Sequence, residues 1–170
     1  KKGKADTHII VVWVDNEAGV LARVVGLFSG RGYNIESLAV AEVDAIKNIS
    51  RITIVTTGTP QVIDQIKLQL KKLVPVHKVA DFKREDKKVI FKEMALIKVV
   101  GNKNKIDNCL KACKTFNPVV LDKTKKSIVI QITALRREID KMNKKLKSKG
   151  LVSTSRTGAI AMTRGAEIFK

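Results

Sequence analysis

Aromatic side chains are scarce in this chain of 170 residues, which has one Trp, one Tyr and five Phe. A sheet that stacks nucleobases on paired exposed aromatics is hard to build from so few. Cysteine is scarcer: Cys109 and Cys113 are the only two, four apart in a helical pattern. They exclude a disulfide framework, point to a reducing compartment and read as two small core hydrophobes. Half a metal site is the alternative, with neither histidine close in sequence. The two histidines, His8 and His77, have no nucleophile or metal-spaced partner nearby. No apolar run approaches the roughly 18 residues that span a bilayer. The start, Lys1-Lys2-Gly3-Lys4-Ala5-Asp6, has no apolar region behind it, so it is not a secretory signal. Residues 1–7 read as an unstructured leader. Without such a signal, Asn48-Ile49-Ser50 reads as a turn despite matching a glycosylation pattern.

Negative charge is also in short supply. Lys and Arg number 34 against 16 Asp and Glu, a formal net charge of +18. The excess is uneven: residues 1–80 hold 11 cations and 7 anions, residues 81–170 hold 23 and 9. A basic half raises nucleic acid as a partner. Against it, the positives are mostly lysine, and residues 81–170 offer no Tyr or Trp for stacking. Lys141, Lys144, Lys145, Lys147 and Lys149 fit the solvated side and last turn of a helix, where the dipole favours cations.

What is present is a soluble α/β pattern, 44% apolar and carried by Val, Ile and Leu. Residues 8–15 read as a strand. Gly19 to Arg31 carries Val20, Leu21, Val24, Leu27 and Phe28 at helical spacing, with Gly32 as the stop. Strands follow at about 33–43 and 51–57, joined by the polar turn Asp44 to Asn48. Pro60 opens a second helix to about Leu73, and Val76 to Phe82 is a further strand. The order β-α-β-β-α-β is the split ferredoxin-like unit. After a charged linker, 83–92, it repeats: a strand from Met94 to Val100, a helix from Lys105 to Thr115, a hairpin of 118–121 and 127–133, a helix from Leu135 to Lys149 and an extended stretch over 151–163. The fold class is therefore α+β, two tandem ferredoxin-like domains at 8–82 and 93–170. Exposed strand edges in such small halves favour pairing between chains.

The most informative run is Asp15 to Arg23 followed by Arg31 to Leu38. A strand ends in a polar turn whose glycine opens an amphipathic helix. The first N–H groups of that helix have no intrahelical partner, and with the helix dipole they suit a carboxylate or phosphate. Asn16 and Asn34 offer amide oxygens for an ammonium group. No glycine-rich phosphate loop is present, so a free amino acid fits better than a nucleotide. Asn16 reads equally as the helix cap, Asn34 as a turn residue, and Gly19 as a turn glycine.

These residues carry a resemblance. Asn16-Glu17-x-Gly19-Val20-Leu21-x-Arg23 and Gly26-Leu27-Phe28-Ser29-x-Arg31-Gly32-Tyr33-Asn34-Ile35-Glu36-Ser37-Leu38 resemble the regulatory (small) subunits of acetohydroxyacid synthase, or acetolactate synthase. Ser50 to Val55, Gln65 to Leu73, Glu93 to Lys98, Ser155-Arg156-Thr157-Gly158 and Arg164-Gly165 extend the likeness over residues 8–168. The resemblance implies an N-terminal ACT domain that binds a branched-chain amino acid at a dimer interface, and a C-terminal ACT-like domain that engages the catalytic subunit. The implied effector site is Asn16, Ala18, Gly19, Val20, Leu21, Asn34 and Ile35, with core or interface as the other reading of Ile35. Arg23 and Arg31 read as exposed or paired cations, with subunit contact as the alternative.

The same resemblance implies a non-catalytic chain that activates its partner enzyme and confers feedback inhibition by valine, leucine or isoleucine. Thiamine diphosphate, FAD and Mg²⁺ would then belong to the catalytic subunit, with none in this chain. The expected location is cytoplasmic, the bacterial cytosol or a plastid stroma. Ala18 and Ala39 depart from the Pro or Ser and the Thr common in relatives, and neither removes a backbone donor from the turn.

Overall fold

The first strand, β1 (Asp6–Asp15), is an unbroken apolar run from Ile9 to Val14 and is buried on both faces. It is flanked by β3 (Ile49–Gly58) and β4 (Val76–Lys83), with β2 (Ser37–Asp44) beyond β3 at the edge, all antiparallel neighbours in the order β2-β3-β1-β4. Helices α1 (Val20–Gly30) and α2 (Pro60–Lys71) cover one face. Ile10, Val12 and Val14 from β1 and Ile52 and Ile54 from β3 meet Val20, Val24, Phe28, Ile63, Ile66 and Leu70 there. Phe28 is fully buried, a contribution of about 2–3 kcal/mol by itself. Thr59 caps α2 by accepting the Val62 N–H at 3.4 Å, and Pro60 follows at the first helical position, where a missing N–H costs nothing.

The coordinates are a computed structural model that describes residues 3–169. They contain the expected β-α-β-β-α-β order twice. The second set begins with β5 (Val89–Val100) and continues through α3 (Lys103–Cys113), a 3-10 turn (Lys114–Phe116), β6 (Val119–Lys123), β7 (Ser127–Ala134), α4 (Arg136–Lys147) and β8 (Leu151–Arg156). Its strand order is β6-β7-β5-β8, and a short β9 (Ile160–Thr163) also pairs with β5. Here Ala95, Ile97, Val99, Ile128, Ile130 and Ile132 pack on Ile106, Cys109, Cys113, Ile139, Met142 and Leu146. Asn102 caps α3 through the Lys105 N–H at 3.1 Å. Glu138 reaches back to the Leu135 N–H at 3.1 Å, and Gly150 at φ 95° lets the chain leave α4. Cys109 and Cys113 are free, buried thiols one helical turn apart, and the hydrogen bond with Cys109, helped by burial, pushes the Cys113 thiol up.

Several expected boundaries move. β1 starts at Asp6, so residues 6–7 of the supposed leader are strand; Lys1 and Lys2 lie outside the described residues. β2 starts at Ser37, because Tyr33 to Glu36 form a connection whose ends are pinned by Tyr33 N–H to Phe28 O and Glu36 N–H to Val55 O. The linker 83–92 is partly strand: Val89, Phe91 and Glu93 alternate inward along β5. Among the described residues the compact units are 3–90 with 161–169, and Phe91–Ile160. Residues 161–169 therefore belong with the first unit, not with the second half as its sequence position suggests. The physical reason is Phe169, whose ring packs edge-on against Trp13 at 5.1 Å and beside Phe82 at 6.0 Å on the sheet face away from α1 and α2. Arg51 stacks over Phe169 at 4.6 Å and donates to its carbonyl at 2.7 Å, and burial draws the Arg51 guanidinium below its usual value.

Candidate effector site

Gly19 stands at the N-cap of α1 with φ 84° and ψ −12°, the left-handed region in which a residue without Cβ is unstrained. No side chain caps the helix, so Asn16 is not the cap that its sequence position also allowed. Only two backbone bonds close the turn: Val20 N–H to Glu17 O at 3.4 Å and Arg23 N–H to Gly19 O at 3.1 Å. The N–H groups of Leu21 and Ala22 lie between them at the positive end of the helix. A Cβ built on Gly19 would meet nothing within 4 Å. Gly19 itself is exposed, which leaves room at the turn for an external carboxylate.

Asn16 is held beside this turn from two sides. Its N–H donates to Asn48 O at 2.8 Å, its carbonyl accepts from Asn48 Nδ2 at 3.3 Å, and its own Nδ2 donates to Glu42 Oε2 at 2.6 Å. The amide oxygen of Asn16 is therefore turned away from Glu42. Glu42 sits on the edge strand β2, and Asn48 closes the β2–β3 turn at φ 54°. Neither was singled out in sequence. Asn48 was legible as a turn asparagine; Glu42 carried no signal, because only register places it opposite Ser50 and near Asn16. Below the turn, His77 Nε2 and Asp15 Oδ1 lie 2.5 Å apart, within hydrogen-bond distance.

The expected residues separate into three groups. Asn16, Ala18 and Gly19 are exposed together at the C-terminal end of β1, with Leu21 at 37% exposure. Val20 is buried in the core and contributes backbone only. Asn34 and Ile35 are elsewhere. Ser37 is level with Val55 and Ile9, whereas Asp44 is level with Ile49 and Asp15, so the start of β2 lies at the opposite end of the sheet from Gly19. The carbonyl of Asn34 accepts from Thr56 Oγ1 at 2.7 Å, and Thr56 pairs with His8. From His8 to Asn16 is roughly 25 Å of extended strand. One chain therefore does not gather Asn16 and Asn34 around a single small ligand. Asn34 is exposed, and Ile35 packs half-buried against the core. Among the described residues, no three His, Cys, Asp or Glu side chains converge as metal ligands.

Comparison with known proteins agrees with this architecture in both halves. A family model described as the AHAS small subunit-like ACT domain matches residues 10–78, and one described as the small subunit of acetolactate synthase matches residues 92–165. A protein of Aquifex aeolicus named acetolactate synthase small subunit is 39% identical over 169 residues, 99% of this chain and 86% of that one. The chain belongs to the acetolactate synthase small-subunit family. A Haemophilus influenzae member is 38% identical over 159 residues, covering 93% of this chain and 96% of its own. The crystal structure of a Thermotoga maritima acetolactate synthase small subunit superposes with a TM-score of 0.83 at 32% identity, over 95% of this chain and 99% of that one. The ACT fold of the first unit is thus shared with a solved family member. No helix of the described residues is long and apolar enough to cross a membrane.

Proposed function

We propose that this chain is the regulatory subunit of an acetolactate synthase, activating the catalytic subunit and conferring feedback inhibition by valine or a related branched-chain amino acid. The observation that carries the effector reading is the uncapped, left-handed and exposed Gly19 turn beside Asn16. The amino acid's carboxylate would accept from the N–H groups at the start of α1. Its ammonium would donate to asparagine amide oxygens, and its branched side chain would lie against Leu21.

The separation of Asn34 from this turn points to a homodimer. Pairing two β2 edges antiparallel sets the start of one β2 beside the end of the other. Asn34 of the partner subunit then arrives at Asn16 and Gly19, and each dimer completes two sites. β2 is at the sheet edge, with unpaired backbone groups on its outer side that favour such pairing. The chemistry of acetolactate formation, with thiamine diphosphate, FAD and Mg²⁺, belongs in this reading to the catalytic subunit, and the chain alone is inactive. Effector binding would act by shifting the population of subunit arrangements, for which a coupling of about 1–3 kcal/mol suffices.

Light scattering with isothermal calorimetry tests both parts. The isolated chain is expected to be a dimer at micromolar concentration, and valine to bind with one molecule per chain. A monomer with and without valine, or no heat from valine, leucine and isoleucine alike, contradicts the proposal.

A further inference from the structure

α1 carries three residues whose local costs bring no return within the chain. Gly26 and Gly30 sit in an α-helix with no positive φ to require them, and a Cβ at either would meet nothing within 4 Å. Alanine at these positions would make a more stable helix without a clash. Arg23 is in the first turn, where the helix dipole disfavours a cation. All three face one groove between α1 and α2, about 600 Å³ in volume, together with Leu27, Arg31, Gln69, Lys72 and Leu73. The half-buried Leu27 and Leu73 form an apolar floor, and Arg23, Arg31 and Lys72 make the rim cationic with no carboxylate among the lining residues. This groove begins one helical turn beyond Gly19 along α1, and the proposed effector site does not use its side chains.

We infer that this groove docks an acidic, amphipathic segment of the catalytic subunit, an inference that rests on the regulatory reading above. The two glycines lower one wall, so that a partner helix or extended segment can come close to the α1 backbone. Apolar side chains of that segment would lie on Leu27 and Leu73, while its carboxylates pair with Arg23, Arg31 and Lys72. Charge complementarity selects the occupant: a second copy of this chain would present a cationic rim to a cationic rim. Such a site gives association that weakens with added salt, because its rim charges are exposed and screened.

The test uses the full chain, its cognate catalytic subunit and two double variants. Gly26→Leu with Gly30→Leu fills the groove and raises helix propensity, so loss of fold is not its expected consequence. Arg23→Glu with Lys72→Glu reverses the rim charge. Both are expected to weaken binding to the catalytic subunit at least tenfold by interferometry. The glycine pair should melt no lower than the parent chain and keep its calorimetric valine affinity within twofold. The parent chain should lose affinity as salt rises from 50 to 500 mM, and the charge-reversed variant should lose less. Unchanged affinity of both variants for the catalytic subunit overturns the groove while leaving the regulatory reading intact. So does a change in dimer dissociation alone, which would make the groove a contact between copies. Failure of the parent chain to bind the catalytic subunit overturns the regulatory reading, and the groove assignment with it.

Discussion

Gly19→Asp is expected to abolish feedback by valine while leaving activation of the catalytic subunit within about twofold. The new carboxylate would stand at the left-handed N-cap position of α1, beside the start of the helix where the effector's carboxylate is proposed to bind. It would crowd the effector's carboxylate and repel it by charge. Losing two charge-assisted hydrogen bonds of about 1.5–3 kcal/mol each weakens binding by about 10²–10⁴-fold. Stability should fall by about 1 kcal/mol, because a side chain at φ 84° is strained where glycine is not. Gly19→Ala separates the two effects: it carries the strain without the charge and should retain most of the inhibition. Inhibition curves measured on the reconstituted enzyme decide the matter, and unchanged valine inhibition in the Asp variant would remove the Gly19 turn from the account.

The largest stability effect is expected at the other end of the chain. Arg156, from the Ser155-Arg156-Thr157-Gly158 motif, bridges β8, β5 and α4. Its Nε donates to Glu93 Oε1 at 2.6 Å and its Nη2 to Glu93 Oε2 at 3.1 Å, a two-pronged pair, while Nη1 engages Asp140. Glu93 is only 2% exposed. Burial would lower the Arg156 guanidinium, but the hydrogen bonds and charges of Glu93 and Asp140 hold it above its usual value. Arg156→Ala would strand a carboxylate in the second unit at a cost of about 3–5 kcal/mol. For a chain of this size that corresponds to a melting temperature lower by about 6–20 °C. Glu93→Leu with Arg156→Met removes both charges and should recover most of the loss, because a buried pair gives little net stability over apolar packing. A calorimetric scan in which Arg156→Ala melts within 2 °C of the parent would show that Glu93 finds another partner.

The periodic elements were legible because one cause dominated each. The stripe from Val20 to Phe28 has a single way to bury itself, and β1 has no polar face to mislead. Gly32 and Gly150 were read correctly as stops for the same reason: both take positive φ. What sequence could not supply was register. Asn16 and Asn34 looked like two halves of one pocket because both flank α1, yet the β1-β3-β2 pairing sets them at opposite ends of the sheet. The same limit hid Glu42, whose contact with Asn16 spans the strands. Local charge misled at the 83–92 stretch, where lysines conceal the inward alternation of Val89, Phe91 and Glu93. The return of Phe169 to Trp13 joins residues more than 150 apart in sequence, and no local pattern announces it.

The central claim is that this chain regulates a separate enzyme through an amino acid. Its most direct test is acetolactate formation by the cognate catalytic subunit, assayed alone, with this chain, and with this chain plus valine, leucine or isoleucine. No acetolactate is expected from the chain by itself, with a several-fold rise when it is added to the catalytic subunit and loss of that rise with at least one of the three amino acids. A catalytic subunit whose rate is indifferent both to the chain and to all three amino acids in its presence would contradict it.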